Sequence, residues 1–365
     1  MAAEYQLRII DTIGKTQAII TDFLRLAYTR VVNQPGMCSF VLDEHNPAVT
    51  YASAFNYQVE VWRRNDAIGL DWTRDFVGII RATSWATDQS TTLTVTAPGI
   101  MSILGWQIVA FRAGISNRST FNAITADRIM SRIVQYSFVT ADSNRIRTAL
   151  SSGKVSGLYT VTIETAAGTG TIINYSCAYD NVLAALQDVQ PISGGDFDLV
   201  KTGDATFQYR WYLGQLGTDR TASLYFSLER GNMANPVFTE DRGRERTVSI
   251  VAGQGEGTAR FATTRTSLDY SASSRAFEMY SNGSSMTTVD SLNALGDQDL
   301  YDRDAEISFT FNALQAPNAY YGVHYTLGDL VTATYRGSSY TQKVSSVAIQ
   351  FDSNGESINV EMTNE

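Results

Sequence analysis

Cysteine and histidine are almost missing from this chain of 365 residues, which has two of each: Cys38, Cys177, His45 and His324. Two cysteines build neither a disulfide scaffold nor a zinc ribbon. Their expected role is that of small buried hydrophobes. Two histidines far apart in sequence leave few general bases, and no Ser-His-Asp arrangement is legible. Proline is scarce, at 6 residues, whereas Thr, Ser, Tyr, Phe and Gly are plentiful, a balance that favours strands and turns over long helices. No run approaches the roughly 20 apolar residues that cross a bilayer as a helix, so no stable membrane anchor is expected. The start, Met1-Ala2-Ala3-Glu4-Tyr5, lacks a basic segment followed by an apolar one, and the chain is expected to fold where it is made.

Basic charge is also short. The formal net charge is -9, and residues 286–365 hold 11 acidic against 3 basic side chains. An acidic surface repels phosphate backbones, so specific nucleic-acid binding is not expected. Hydrophobic residues make up 44%, enough for real cores, and the length fits two or three domains.

What the chain does have is one phrase written twice. Val59-Glu60-Val61-Trp62-Arg63 leads to Phe76-Val77-Gly78-Ile79-Ile80, a turn at Asp88-Gln89-Ser90, and Leu93-Thr94-Val95-Thr96. Near the other end, Thr332-Ala333-Thr334-Tyr335-Arg336 leads to Tyr340 and Val344, a turn at Asp352-Ser353-Asn354-Gly355, and Ile358-Asn359-Val360-Glu361. The spacing is 13 residues from Ile80 to Leu93 and 14 from Val344 to Ile358. Each copy reads as period-two strands joined by tight turns, the pattern of a small closed or nearly closed sheet.

The expected fold is therefore mainly β, with two similar small β-barrel domains flanking a central α+β region. The expected divisions are a first barrel at 1–112, an α+β insert at 113–245, a connecting segment at 246–300 and a second barrel at 301–365. Pro35 and Gly36 are expected to turn the chain into a strand. A helical turn over Ile100 to Leu104 is expected to plug one barrel end. In the insert, Thr125 is expected to cap a helix from Ala126 to about Tyr136. Asp180 to Gln190 carries Val182, Leu183, Leu186 and Val189 on one face, with Pro191 expected to end that helix. A short helix is expected over Leu292 to Leu300.

Several clusters invite a chemical reading. Gly253-Gln254-Gly255-Glu256-Gly257 lacks the Lys and Ser or Thr of a phosphate loop, and Glu256 would repel phosphate. Gly253, Gly255 and Gly257 are expected to make a sharp structural turn. The acidic run Asp297, Asp299, Asp302, Asp304 and Glu306 lacks the central glycine and final glutamate of a calcium loop, and a solvated surface is expected. Arg242, Arg244 and Arg246 alternate with acids in an exposed turn and are candidate subunit contacts. Tyr320, Tyr321 and Tyr325 form the one aromatic cluster that could stack on sugar rings. No catalytic residue, metal site or cofactor is expected.

The ordered set of phrases resembles the hub proteins at the tip of long-tailed phage tails, the siphovirus relatives of the contractile-tail baseplate hub. It comprises Phe76 to Ile80; Asn144-Arg145-Ile146 with the Asp180 to Gln190 helix and Gly194-Gly195-Asp196-Phe197; Gly217 to Thr221, Phe226-Ser227 and Gly231-Asn232; Gly253 to Gly257 with Arg260; and Leu327-Gly328-Asp329-Leu330-Val331. Gly328 and Asp329 open the final barrel in this reading. The chain departs from the pattern at Gly105 and Trp106, where arginine is expected, and in a longer insertion from Asn65 to Asp75.

The resemblance implies a structural, non-enzymatic homotrimer in the virion, assembled in the host cytoplasm. Three copies carrying two modules each would bridge a sixfold tail tube to a threefold tip. Its implied partners are a distal tail protein or tube ring, the tape measure protein, and a central fibre or spike. The acidic residues would line the DNA passage used in ejection. The alternatives are a tail-associated cell-wall hydrolase or a glycan-binding adhesin; a hydrolase of this kind is expected as an added domain, and none is expected after Glu365.

Overall fold

The computed structural model describes residues 3–110, 118–140, 154–155, 159–284, 286 and 288–364. Asn144-Arg145-Ile146 lies outside the described residues.

The chain opens with β1 (Glu4–Ile10), β2 (Thr16–Ile20), β3 (Arg25–Val31) and β4 (Gln34–Asp43). A one-turn helix α1 (Val49–Ala52) precedes β5 (Gln58–Asn65), β6 (Leu70–Ile79), β7 (Ala82–Thr87) and β8 (Thr91–Pro98). Alternation drives these strands: Tyr5, Leu7 and Ile9 of β1 are buried, as are Val59 and Val61 of β5. The order β2-β1-β5-β6 makes one sheet. The turn between β3 and β4 is at Asn33, with φ of 59°, and not at Pro35-Gly36, which lies inside β4. Gly36 is needed there because a Cβ would stand 2.1 Å from the Thr29 carbonyl oxygen, beside a register shift between Thr29 and Val31. The 65–75 insertion forms a 3-10 turn, Asp66–Ile68, and the start of β6.

The middle of the chain adds β9 (Ser119–Thr125), α2 (Ala126–Val134), β10 (Lys154–Val155), β11 (Tyr159–Ile163) and β12 (Ile172–Cys177). Then come α3 (Val182–Ser193), β13 (Gly195–Lys201), β14 (Thr206–Leu213) and β15 (Tyr225–Phe226). Thr125 precedes α2, but its hydroxyl donates to the Asp127 carboxylate at 2.6 Å and does not cap the backbone. Asn181 caps α3 by accepting from the Leu183 and Ala184 amides. Pro191 sits inside α3 and does not end it; the helix closes at Gly194, with φ of 73°. Both helices pack on the sheet β10-β11-β14-β13 with the 3-10 turn Ile100–Trp106, whose Ile100, Met101, Ile103 and Leu104 enter the same core as Phe197, Phe207 and Leu186.

Past β15 the chain runs through β16 (Met233–Asp241), β17 (Val248–Ala252), β18 (Ala262–Thr266), β19 (Glu278–Asn282), α4 (Val289–Tyr301) and β20 (Glu306–Ala313). It ends with β21 (Leu330–Tyr335), β22 (Ser338–Asp352) and β23 (Gly355–Asn364). Two compact units result: one of 1–235 with 311–363, and one of 236–310. The segment 246–300 therefore lies within a unit of its own, whose three-stranded sheet β18-β17-β19 carries α4 on one face. Gly296 makes that contact close, since a Cβ would lie 2.6 Å from Val251 Cγ2 and 2.7 Å from Arg265 Cγ.

The mainly β class holds, but the sheets are open and, among the described residues, no barrel closes. The reason is that strands of the two ends share one sheet, in the order β15-β21-β22-β3-β4-β8-β7, with β23 also on β22. The repeated phrase has matching backbone bonds in its two copies. Asn56 N–H donates to Ile80 O at 2.9 Å, and Ile80 N–H to Tyr57 O at 2.8 Å. Gly328 N–H donates to Val344 O at 2.8 Å, and Val344 N–H to Asp329 O at 2.9 Å. Asn56 and Gly328 both take positive φ, 67° and 85°.

Candidate functional site

The first unit holds a set of buried and half-buried polar side chains where its N-terminal strands meet the returning C-terminal ones. Period-two alternation aims Tyr28 and Arg30 of β3 to the same side, toward Asp75 of β6. Tyr28 Oη donates to Asp75 Oδ2 at 2.6 Å, and Arg30 Nη1 to Asp75 Oδ1 at 2.8 Å. Tyr321, from the segment before β21, donates to Asp75 Oδ1 at 2.8 Å and accepts from Arg30 Nη1 at 3.0 Å. Burial and the Asp75 carboxylate push the Tyr28 hydroxyl far above its ordinary range, so it stays a donor.

Beside this network, Arg63 of β5 grips Glu356 of β23 with two bonds, Nε to Oε1 at 2.6 Å and Nη2 to Oε2 at 2.9 Å. Tyr5 Oη also donates to Glu356 Oε1. Lys343 of β22 meets Asp196 of β13 at 2.7 Å, where Asp196 is fully buried and also accepts from Asn33 Nδ2 and the Leu216 amide at 2.8 Å each. Asp329 is 1% exposed and accepts from the Thr218 amide at 2.6 Å, Arg220 Nε at 2.6 Å and the Thr326 amide at 2.9 Å. Arg63, Asp196 and Asp329 are buried charges with their partners supplied, and losing a partner leaves such a charge stranded. The arrangement holds strands distant in sequence to one geometry. It is a frame of ion pairs and hydrogen bonds.

A cavity of about 170 Å³ borders this frame, lined by Arg30, Asp75, Asp198, Lys201 and apolar neighbours including Phe197 and Met101. Burial pushes the Asp198 carboxyl up to about 6, against the opposing pull of Arg30.

The sequence-marked residues fall in several places. Gly253, Gly255 and Gly257 lie where the chain reverses between the antiparallel strands β17 and β18. Gly255 has φ of 111° and Gly257 of 55°, and a Cβ on Gly253 would lie 2.9 Å from Leu292 Cδ1. Arg260 staples this reversal by donating from Nε to Gly253 O at 3.0 Å. Gly328 abuts Gly217, whose amide donates to its carbonyl at 3.1 Å.

Within the second unit, Asp297 pairs with Arg265 at 2.7 Å, while Asp302 accepts from Gln298 at 2.9 Å. Asp297, Asp302, Asp304 and Glu306 are exposed and Asp299 is half-buried. Arg242 is turned inward on its own unit, to Glu240 at 2.5 Å, Glu245 at 2.7 Å and Asp269 at 3.3 Å. Arg246 donates to Glu245 O at 2.7 Å, and Arg244 is exposed. Glu245, Asp269 and Asp304 bring carboxylate oxygens within 4.8 Å of one another, but the Arg242 guanidinium already supplies positive charge to two of them.

Cys38 and Cys177 are buried free thiols. Burial pushes Cys38 well above the usual thiol range and Cys177 up to about 11, which keeps both protonated and poorly nucleophilic. Tyr321 and Tyr325 are 1% and 0% exposed, so they are core residues and not a sugar-stacking platform. Sequence reasoning did not single out Arg63, Asp75 or Glu356 as site residues. Their one local signal is a charge at a strand position expected to face inward, which is weak without knowing the register.

The family model described as Siphovirus ReqiPepy6 Gp37-like protein matches residues 6–363. No curated protein matches the sequence. Among solved structures, the 43 kDa tail protein of prophage MuSo2 from Shewanella oneidensis has a TM-score of 0.60 at 12% identity, covering 99% of this chain and 98% of that one. A tail protein from Neisseria meningitidis MC58 has a TM-score of 0.57 at 12% identity, covering 100% and 97%. The prophage tail protein gp18 from Listeria monocytogenes EGD-e has 0.56 at 12% identity, covering 99% and 94%. At such identities the likeness is one of fold, and it extends end to end. The chain therefore belongs to the siphovirus ReqiPepy6 Gp37-like family and shares its fold with these tail proteins.

Proposed function

We propose that this protein is a structural component of the phage tail and the hub subunit of the tail tip. It acts as a homotrimer that bridges the sixfold tail tube to a threefold tip and forms part of the passage for DNA. The observation that carries this reading is the doubled backbone pattern, Asn56 and Tyr57 on Ile80, and Gly328 and Asp329 on Val344. A chain carrying one contact module twice lets three copies offer six near-equivalent contacts, which relieves a symmetry mismatch. The buried ion pairs suit a part that must carry load without changing shape.

In this reading the partners are a distal tail protein or tube ring, the tape measure protein and a central fibre or spike, joined in the host cytoplasm. The exposed carboxylates among Asp297, Asp299, Asp302, Asp304 and Glu306 face the passage, where repulsion keeps DNA from sticking. Arg244 is the cation of its cluster left for a neighbouring subunit.

A density map of the assembled tail tests the proposal. Three copies at the tip, with the two modules of each alternating around a ring, are expected. Six copies, or a position along the tube, would overturn it.

A further inference from the structure

The internal repeat assigns a job to an unfinished sheet edge. Aligning Ile80 with Val344 places β7, Ala82–Thr87, on residues Ser346–Phe351 of β22. Both segments then enter a tight turn and pair with a final strand, β8 in one case and β23 in the other. On its opposite side, Ser346–Phe351 is covered by β3, from Ser346 against Val31 to Phe351 against Leu26. The same side of β7 carries no strand among the described residues, and β7 ends the sheet.

Among the described residues no strand covers that edge. Ala82-Thr83-Ser84-Trp85-Ala86-Thr87 has no charge and no proline, and its register with β8 is regular from Ala82–Thr96 to Thr87–Thr91. Five of its six residues are exposed, and Trp85 is 52% exposed. Natural edge strands are normally blunted by Lys, Pro, a bulge or a covering loop. A bare edge with an exposed Trp has the character of a strand-addition site.

We propose that β7 pairs with a strand of a second copy of this chain, and that this strand is β16. The repeat selects the occupant. β3 and β4 pair with each other ahead of the first phrase, and β16 and β20 pair with each other ahead of the second. As β3 covers β22 within a chain, so β16 of a neighbour covers β7. Among the described residues β16 pairs with β20 alone, and it exposes Val237 at 55%. Its Pro236 removes one donor, a loss that an edge strand tolerates. Links within chains and links between chains then alternate around one ring. This inference rests on the trimeric hub reading.

Photo-cross-linking in assembled tails tests it, with a benzophenone amino acid replacing Trp85 and, in a second variant, Thr83. The expected product is a covalent dimer of this chain whose cross-linked peptide contains residues 233–241. Cross-linking to another tail protein, to a different segment, or to nothing, in tails that still hold three copies, would overturn the strand assignment and leave the trimer standing. A copy number other than three would overturn the hub reading itself. Trp85→Lys and Thr83→Lys, which place a charge on the bare edge, are each expected to lower incorporation into tails at least tenfold. Their unfolding temperature should stay within a few degrees of the parent. Normal incorporation of both Lys variants would also overturn the assignment.

Discussion

Arg63 and Glu356 stand 293 residues apart in sequence and meet through two hydrogen bonds of 2.6 and 2.9 Å, with the guanidinium 2% exposed and the carboxylate 15%. A charge this buried survives only because its partner is present. Arg63→Met is expected to destabilise the protein by about 3–5 kcal/mol, since Glu356 loses its charged partner and keeps the neutral Tyr5 hydroxyl as a donor. The double variant Arg63→Met with Glu356→Leu should recover much of that loss. Thermal unfolding of the four proteins in the cycle measures both effects, and equal losses in single and double variants would refute the coupling.

Asp329 makes a second, separate test. It gathers the Thr218 amide, Arg220 and the Thr326 amide around one carboxylate. Asp329→Ala strands two backbone donors and is expected to cost about 3 kcal/mol. Cleavage by a protease near residues 216–221 should accelerate, because that stretch is held to Gly328 and Asp329 by these bonds. An unchanged cleavage rate would mean that the loop is fixed by other contacts.

Stability should depend on pH through Asp198. Its folded carboxyl titrates at about 6, above the ordinary value of 3.8, chiefly because burial penalises the charged form. Between those two values the folded protein holds more protons than the unfolded chain, so stability is highest below about 3.8 from this group and falls as pH rises toward 6. The loss is at most about 3 kcal/mol by that shift. Asp198→Asn should flatten this part of the profile and raise stability at neutral pH. A profile that is identical in parent and variant would disprove it.

Gly296 sets how closely α4 sits on its sheet. Gly296→Val places carbon within van der Waals overlap of Val251 and Arg265. A cost of about 1–3 kcal/mol is expected, confined to residues 236–310. Hydrogen exchange should show faster opening of β17, β18 and α4 with little change in β1 or β5. Uniform acceleration across the chain would show instead that the two units unfold together.

Much of the architecture was legible before any coordinate. Alternation identifies β1, β5, β8 and β22, and the spacing of Val182, Leu186 and Val189 identifies α3. Local signals fail where a local preference is overridden. Pro191 ends a helix by rule, yet it lies within α3 because packing of Val189 and Leu186 holds the turn and Gly194 supplies the left-handed close. Pro35-Gly36 reads as a turn, yet it lies in β4, since the bulge beside Thr29 needs a residue without a side chain.

The sequence by itself determined the strand-rich class and the repeated phrase, because each depends on residues close together in the chain. Tertiary structure alone decided that Asp75 meets Tyr321, that Glu356 meets Arg63, and that β22 lies against β3 while β7 ends its sheet. Those outcomes depend on strand order and register, and period-two patterns are alike in every strand, so nothing local says which strand will lie beside which.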